Sequence, residues 1–283
     1  MRESVLVGYR NAAKVVEKKA AKMFRHVFNF NTDELDQNEV SFKVTKLCLE
    51  KLESVAKEKI GFLPKKEIEK FDIGDVFGFS KIEKLVESHL QFDDRDKVEK
   101  NKQTVQLIPI AFIKDTDDLK FIVARKRKDN SPAGSPEDGK ILLYFGGHVR
   151  EEDKTLFDSP SSIEILKQCL YREVKEELGI DINVSDEEPI CVWIRDGKKS
   201  EQHIAVAFFV ERDLDYTKVQ IDDREFVRLT KKEKYGTGSK IDATGIAENI
   251  GKIDQWSRHI LKERFSQQLE YSSAQKTLWD ARS

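Results

Sequence analysis

Apolar residues recur at three- and four-residue steps through the first part of the chain: Val5, Leu6, Tyr9, Ala12, Val16, Ala20, Met23, Phe24 and Val27. That spacing puts them on one stripe of a helix. Asn29-Phe30-Asn31-Thr32-Asp33 interrupts the pattern. A second stripe follows through Val40, Val44, Leu47, Leu49, Leu52, Val55 and Ile60, with Gly61 and Pro64 as stop signals. The charged stretch 65–102 predicts a short helix near 81–89 and then a loop carrying Asp93-Asp94-Arg95-Asp96. From Thr104 the pattern turns to strands, at 105–113 and 119–124, on either side of a turn at Asp115-Thr116-Asp117-Asp118. A Gly-, Pro- and Ser-rich loop over 130–139 leads into a strand at 141–145 that ends on Gly146-Gly147. A helix over 162–178, strands at 190–195 and 203–211 and a weaker strand at 226–229 come next. A last amphipathic helix carries Ile253, Trp256, Ile260, Leu261 and Phe265, and the tail after Tyr271 is expected to be loose. Strands mixed with helices predict an α/β domain over 63–283, preceded by a helical extension over 1–62.

Composition limits the classes of function. The 283 residues are 39% hydrophobic and 36% charged, polar yet able to build a core. Fifty basic against 52 acidic side chains give a net charge of −2, so a nucleic-acid partner is not indicated. Cys48, Cys169 and Cys191 form no CxxC pair, which predicts reduced, buried thiols and no cysteine-based zinc site. No apolar run approaches the ~20 residues that span a bilayer. The first residues, Met1 to Gly8, lack the apolar region of a signal peptide, so no membrane association and cytoplasmic residence are expected.

The informative segment is the helix over 162–178. Ser161-Ser162-Ile163-Glu164 reads as a capping box, with Pro160 just outside it, and Gly179 as the stop. Ile163, Leu166, Leu170, Val174 and Leu178 set its apolar stripe. At about 100° per residue, Glu177 falls inside the stripe, Glu173 on its edge and Glu176 one step further out. Burying even part of an ionised carboxylate costs on the order of several kcal/mol without compensation. Carboxylates at i, i+3 and i+4 also repel one another and call for a cation. Hard oxygen ligands select Mg2+ or Mn2+. A solvated acidic helix end is the alternative. It fits badly with the helix dipole, but Lys167 in the same stripe keeps it open.

The run Arg172-Glu173-Val174-Lys175-Glu176-Glu177-Leu178-Gly179-Ile180 resembles the second half of the Nudix box, G-x5-E-x7-R-E-U-x-E-E-x-G-U with U apolar. Glu164 fits as well, eight residues before Arg172. The first glycine of the box is replaced by Asp158, and Gly147, eleven residues earlier, is its expected equivalent. Residues 150–158 then read as part of an inserted loop. Phe145-Gly146-Gly147-His148-Val149 is similar to the strand-to-loop junction common in that family. Gln106-Leu107-Ile108-Pro109, Gln202-His203-Ile204 and Trp256-Ser257-Arg258 resemble a bacterial subgroup of predicted phosphoesterases. The resemblance covers roughly 65–265 and implies a Nudix α/β/α sandwich with a mixed sheet, joined to the N-terminal helical pair.

What the resemblance implies for function is metal-dependent hydrolysis of a nucleoside diphosphate linked to another moiety, with water attacking phosphorus. Glu173 and Glu177 would be the main metal ligands, Glu176 a third ligand or the group that orients water. Arg172 would pair with a box carboxylate and fix its rotamer. Gly146 or Gly147 would offer a backbone carbonyl to the metal. Arg125 and Arg127 end a strand that faces the substrate in the family; Lys126 and Lys128 leave a solvated strand end as the alternative. Glu225 and Glu233 are candidates for a further acid, and His203 and Trp256 are expected to be structural. The rival functions are a catalytically silent module that senses a nucleotide and, within the same fold, an isoprenoid diphosphate isomerase, to whose cysteine-and-glutamate chemistry nothing in this chain points. The N-terminal helices are expected either to form a homodimer or to fold back on their own domain.

Overall fold

The computed structural model describes residues 58–116, 120–127, 137, 139–154, 161–196, 199–212, 219–222, 226–227 and 240–270. The predicted N-terminal helices, Glu225, Glu233 and the tail beyond Tyr271 lie outside them, apart from the last residues of the second stripe. In chain order the first elements are β1 (Lys59–Pro64), α1 (Lys65–Ile68), β2 (Val76–Gly78), α2 (Glu83–His89), β3 (Gln91–Asp94), α3 (Arg95–Lys100) and β4 (Thr104–Asp115). Then come β5 (Lys120–Ile122), β6 (Ala124–Lys126), β7 (Ile141–Leu142), β8 (Phe145–Gly146) and α4 (Ser162–Leu178). The last are β9 (Ile190–Trp193), β10 (His203–Arg212), β11 (Phe226–Val227), β12 (Lys240–Asp242), α5 (Ala243–Asn249) and α6 (Gln255–Glu270).

β4 is the axis of the main sheet. Its residues from Thr104 to Ile113 are buried, as a continuous apolar strand covered on both faces must be. Along one edge it pairs in parallel with β10, in register from His203↔Gln106 to Arg212↔Asp115. Along the other it takes three short antiparallel partners in turn: β1 at Val105, β8 at Ile110 and Ala111, and β5 at Lys114. β9 and β2 continue the sheet beyond β10, and β12 continues it beyond β5. The sheet is therefore mixed, in an α/β chain, as expected. β11, β6 and β7 form a second, three-stranded sheet. An aromatic cluster seals the last helix to the main sheet: Phe265 lies 5.1 Å from Phe121 and 5.8 Å from Phe209, and Phe209 lies 6.0 Å from Phe112. Contacts of this kind add to the 1.5–3 kcal/mol or so that burying each such side chain contributes.

Several elements differ from the sequence reading. Lys59–Pro64 is a strand, not a helix end with its stop signals; Ile60 pairs with Asp93 and Phe62 with Gln106. The strand runs across position 62. The acidic segment expected to be a loop forms β3 and the start of α3. The apolar runs at 119–124 and 141–145 each divide into two strands, because the chain passes from one sheet to the other. β5 pairs with β4 and β12, while β6 pairs with β7 and β11. No local pattern marks such a switch; it is set by which edge each half can reach.

Asp254 fixes the start of α6. Its Oδ1 accepts from the Ser257 amide at 3.0 Å, its own amide donates to the Ile141 carbonyl at 3.0 Å, and the Ser257 hydroxyl accepts from the Leu143 amide at 3.2 Å. Burial, reinforced by the charge of Glu137, pushes the Asp254 carboxyl up to about 7 against the pull of the Ser257 hydrogen bonds. A folded-state pKa above the ordinary 3.8 means that the folded protein holds the proton longer than the unfolded chain. Its contribution is complete below about pH 4 and is lost as pH rises through about 7. Asp254→Asn, which keeps an acceptor for Ser257, removes this titration. The melting temperature of wild type relative to Asp254→Asn should therefore fall by a few degrees, roughly, between pH 4.5 and 8. Parallel melting curves across that range would show that Asp254 does not titrate there.

Candidate functional site

α4 spans the expected residues for the expected reasons. The Ser161 side chain accepts from the Glu164 amide, and Gly179 ends the helix in the left-handed conformation at φ 69°. The helix buries Ile165, Leu166, Cys169, Leu170, Val174 and Leu178, and with them Glu177. The three box carboxylates sit in graded surroundings. Glu177 is 6% exposed, the Glu173 side chain 12% and the Glu176 side chain 49%. This gradient is the one that the helical phase requires.

The carboxylates lean on the Gly146-Gly147 segment at the end of β8. Glu177 Oε2 accepts from the Gly146 amide at 2.9 Å, a charge-assisted bond across 31 residues of chain. Gly147 has no side chain because there is no room for one: a Cβ there would lie 2.7 Å from the Glu173 carboxyl carbon. The Gly147 carbonyl accepts from the Cys169 thiol at 3.7 Å. Burial raises that thiol's pKa well above its usual range, so it is an inert, protonated core group.

Arg172 ties the site together. Its Nε donates to Asp153 Oδ1 at 2.9 Å, and its Nη2 donates to Asp153 Oδ2 at 2.9 Å and to the His148 carbonyl at 3.1 Å. Its Nη1 donates to Glu173 Oε1 and lies 3.9 Å from Glu176 Oε2. Arg150 adds a second positive charge, 3.8 Å from Glu173 and 3.6 Å from Glu176. Burial works against the Arg172 charge, but Asp153 and Glu173 raise its pKa and keep it a cation. Burial pushes the Glu173 carboxyl upward, opposed by Arg172 and Arg150 and helped by Glu176. This carboxylate is held under electrostatic tension.

Asp153 and Arg150 are the members of the site that sequence reasoning missed. They lie where an inserted loop was expected. Glu151–Lys154 is instead a 3-10 turn, closed by the Arg150 amide donating to Asp153 Oδ2 at 2.7 Å, with Asp153 buried. One aspartate in the run Glu151-Glu152-Asp153 has no sequence signal to set it apart from its exposed neighbours. Asp153→Asn keeps the shape but halves a bidentate, charge-assisted pair, which should cost about 2 kcal/mol of stability. Urea denaturation measures the loss. A midpoint equal to that of wild type would mean that the Arg172 fork is held by other partners.

Among the described residues, Arg172 and Arg150 pair with Glu173 and Glu176. Arg125 lies in β6 of the smaller sheet, in register with Ile141 and Val227, with Arg127 just past the strand end; both are half-buried. His203 sits at the start of β10, half-buried, and Trp256 is buried in the first turn of α6.

Among the described residues, no three His, Cys, Asp or Glu side chains converge tightly enough to cage a metal ion. The reason is visible: Glu173 and Glu176 are drawn to Arg172 and Arg150, and Glu177 to the Gly146 amide. The donor set nevertheless suits Mg2+, which demands hard oxygens, keeps several waters and is often held by only one or two carboxylates. Glu173 and Glu177, flanking the close approach of Gly147, meet that description.

No family model matches the chain, and no curated protein matches it. Among solved structures the chain is similar to Tm1382, itself assigned only provisionally as a Nudix hydrolase. The identity is 20%, over 71% of this chain and 94% of that one, with a TM-score of 0.48. It is also similar to DR0079 from Deinococcus radiodurans, at 9% identity over 74% of this chain and 99% of that one, with a TM-score of 0.41. At those scores neither likeness assigns the chain a family, a site or an activity. Among the described residues no helix is long and apolar enough to cross a membrane.

Proposed function

We propose that this chain is a Nudix-type hydrolase that splits a diphosphate linkage in a nucleotide-type small molecule with Mg2+ or Mn2+, on an α/β/α sandwich. One observation carries the reading. The two carboxylates of Arg172-Glu173-Val174-Lys175-Glu176-Glu177 that the motif makes metal ligands, Glu173 and Glu177, are the two that the fold buries against Gly146-Gly147. A merely solvated acidic helix end would expose them.

The chain's own residues then have distinct parts. Asp153 locks the Arg172 fork, and Arg172 sets the position of Glu173. Glu177 is aimed by the Gly146 amide. Gly147 lets the Glu173 carboxylate lie against its backbone, where a Cβ would be only 2.7 Å from the carboxyl carbon. Glu176, half-exposed, is placed to hold water or to complete the ligand set. A cation held by Glu173 and Glu177 would lower the pKa of its bound water and neutralise phosphate oxygens. Arg150, already beside Glu173 and Glu176, is a ready partner for the phosphate charge.

A second reading has its own support. Arg172 and Arg150 already compensate Glu173 and Glu176 without a cation, as a catalytically silent nucleotide sensor would require. A turnover screen over nucleoside triphosphates, ADP-ribose, dinucleotides and capped RNA, with and without Mg2+, separates the two. Metal-dependent phosphate or pyrophosphate release supports the hydrolase; ligand binding with no turnover supports the sensor.

A further inference from the structure

Where the first turn of α6 meets the starts of β4 and β10, several buried polar atoms have no hydrogen-bond partner among the described residues. They are both ends of the Gln106 amide, the indole Nε1 of Trp256 and Oδ2 of Asp254. Gln106 is 0% exposed, Trp256 8% and Asp254 3%. They belong to one neighbourhood. Gln106 is the register partner of His203 in the parallel ladder, which puts both side chains on one face of the sheet. The His203 ring lies 6.4 Å from Trp256 and 6.0 Å from His148, and Trp256 lies 6.0 Å from Tyr144. His148 and His203 are the half-buried members.

Buried polar groups in native proteins are nearly always paired, because an orphan bears the full cost of losing its water. A primary amide orphaned at both ends, in the central strand and on the sheet face where the His203 ring meets Trp256 and its orphaned indole N–H, calls for a guest. An amide presents one donor and one acceptor side by side, which is the complement of a nucleobase edge. The indole N–H adds a donor, and the histidine and tryptophan rings supply flat apolar walls.

We propose that this junction is a ligand subsite that takes the edge of a planar heterocycle, read by the Gln106 amide and the Trp256 indole N–H. The inference rests on the nucleotide reading above and deepens it: the junction holds the base, and the carboxylate helix holds the diphosphate. His148 joins the two. Its ring faces His203, while its carbonyl accepts from Arg172 and from Cys169.

The test uses the full chain and calorimetric titration without metal. The probes are adenosine and uridine, which have a base and no phosphate, and ribose 5-phosphate, which has a phosphate and no base. At least one nucleoside should bind the wild-type protein, and ribose 5-phosphate should bind far more weakly. Gln106→Leu should weaken nucleoside binding by about tenfold or more, while its own melting temperature without ligand stays equal or rises, since an orphaned amide has been removed. Trp256→Phe keeps a ring and removes the N–H, and gives the same readout if the leucine variant does not fold. Neither nucleoside binding to wild type, or equal binding by wild type and both variants, overturns the proposal. A melting temperature that rises in Gln106→Leu with nucleoside binding unchanged would mean that the amide serves only buried water. Nucleosides carry no diphosphate, so failure here leaves the hydrolase reading standing. A failed turnover screen, in turn, leaves this binding result standing.

Discussion

Glu177→Gln is expected to cut metal-dependent turnover on the order of a thousandfold while leaving the protein folded. A cation that activates water and neutralises phosphate charge supplies several kcal/mol of transition-state stabilisation, and about 1.4 kcal/mol is a factor of ten in rate. Glu177 is the most buried of the three box carboxylates and is fixed by the Gly146 amide, so no other group can take its place without moving β8 or α4. Glutamine keeps an acceptor for that amide and removes one negative charge from a cluster of three, which relieves repulsion in the metal-free protein. The melting temperature without metal should therefore hold, and added Mg2+ should raise it less in Glu177→Gln than in wild type. Near-normal turnover of Glu177→Gln at saturating Mg2+ would sink the metal-site reading.

The largest loss of stability is expected from Gly146→Ala. A Cβ at this position would lie 2.1 Å from the Pro109 carbonyl oxygen and 2.9 Å from the Ile110 Cα, at a backbone φ of +154°. Both neighbours are backbone atoms of β4, the central strand, paired on its other edge with β10. Nothing there is a flexible side chain that could swing away. Positive φ and overpacking each cost about 1–3 kcal/mol, so the variant should lose about 3 kcal/mol or more, a drop of roughly 10 °C in melting temperature. Gly179→Ala is the control. Its φ of +69° carries the left-handed penalty, but the nearest atom to a new Cβ is a side-chain carbon at 3.6 Å. It should cost only about 1–2 kcal/mol. If Gly146→Ala melts no lower than Gly179→Ala, the register of β8 on β4 is not the one described.

What could be read from the sequence was local. The span, caps and buried face of α4 follow from period, Ser161 and Gly179, because a helix is closed by hydrogen bonds within its own residues. The graded burial of Glu177, Glu173 and Glu176 is the same arithmetic, since the angle between them is fixed by the backbone. The long strands β4 and β10 were legible because a strand buried on both faces is apolar along its length.

Pairing was not legible. Lys59–Pro64 carries Gly and Pro, good helix stops, yet lies between β3 and β4 because those edges are available only in the folded chain. The same holds for the splits at Val123 and at Leu143-Tyr144, where half of each apolar run answers to a different sheet. The site divides along the same line. The sequence by itself determined which carboxylates share a helix face and that the charge there needs compensation. Only the tertiary structure decided which distant groups support it, Arg150 and the Gly146 amide directly and Asp153 by fixing Arg172, because those groups reach the helix across 19 to 31 residues of chain. No periodicity records contacts made at that range.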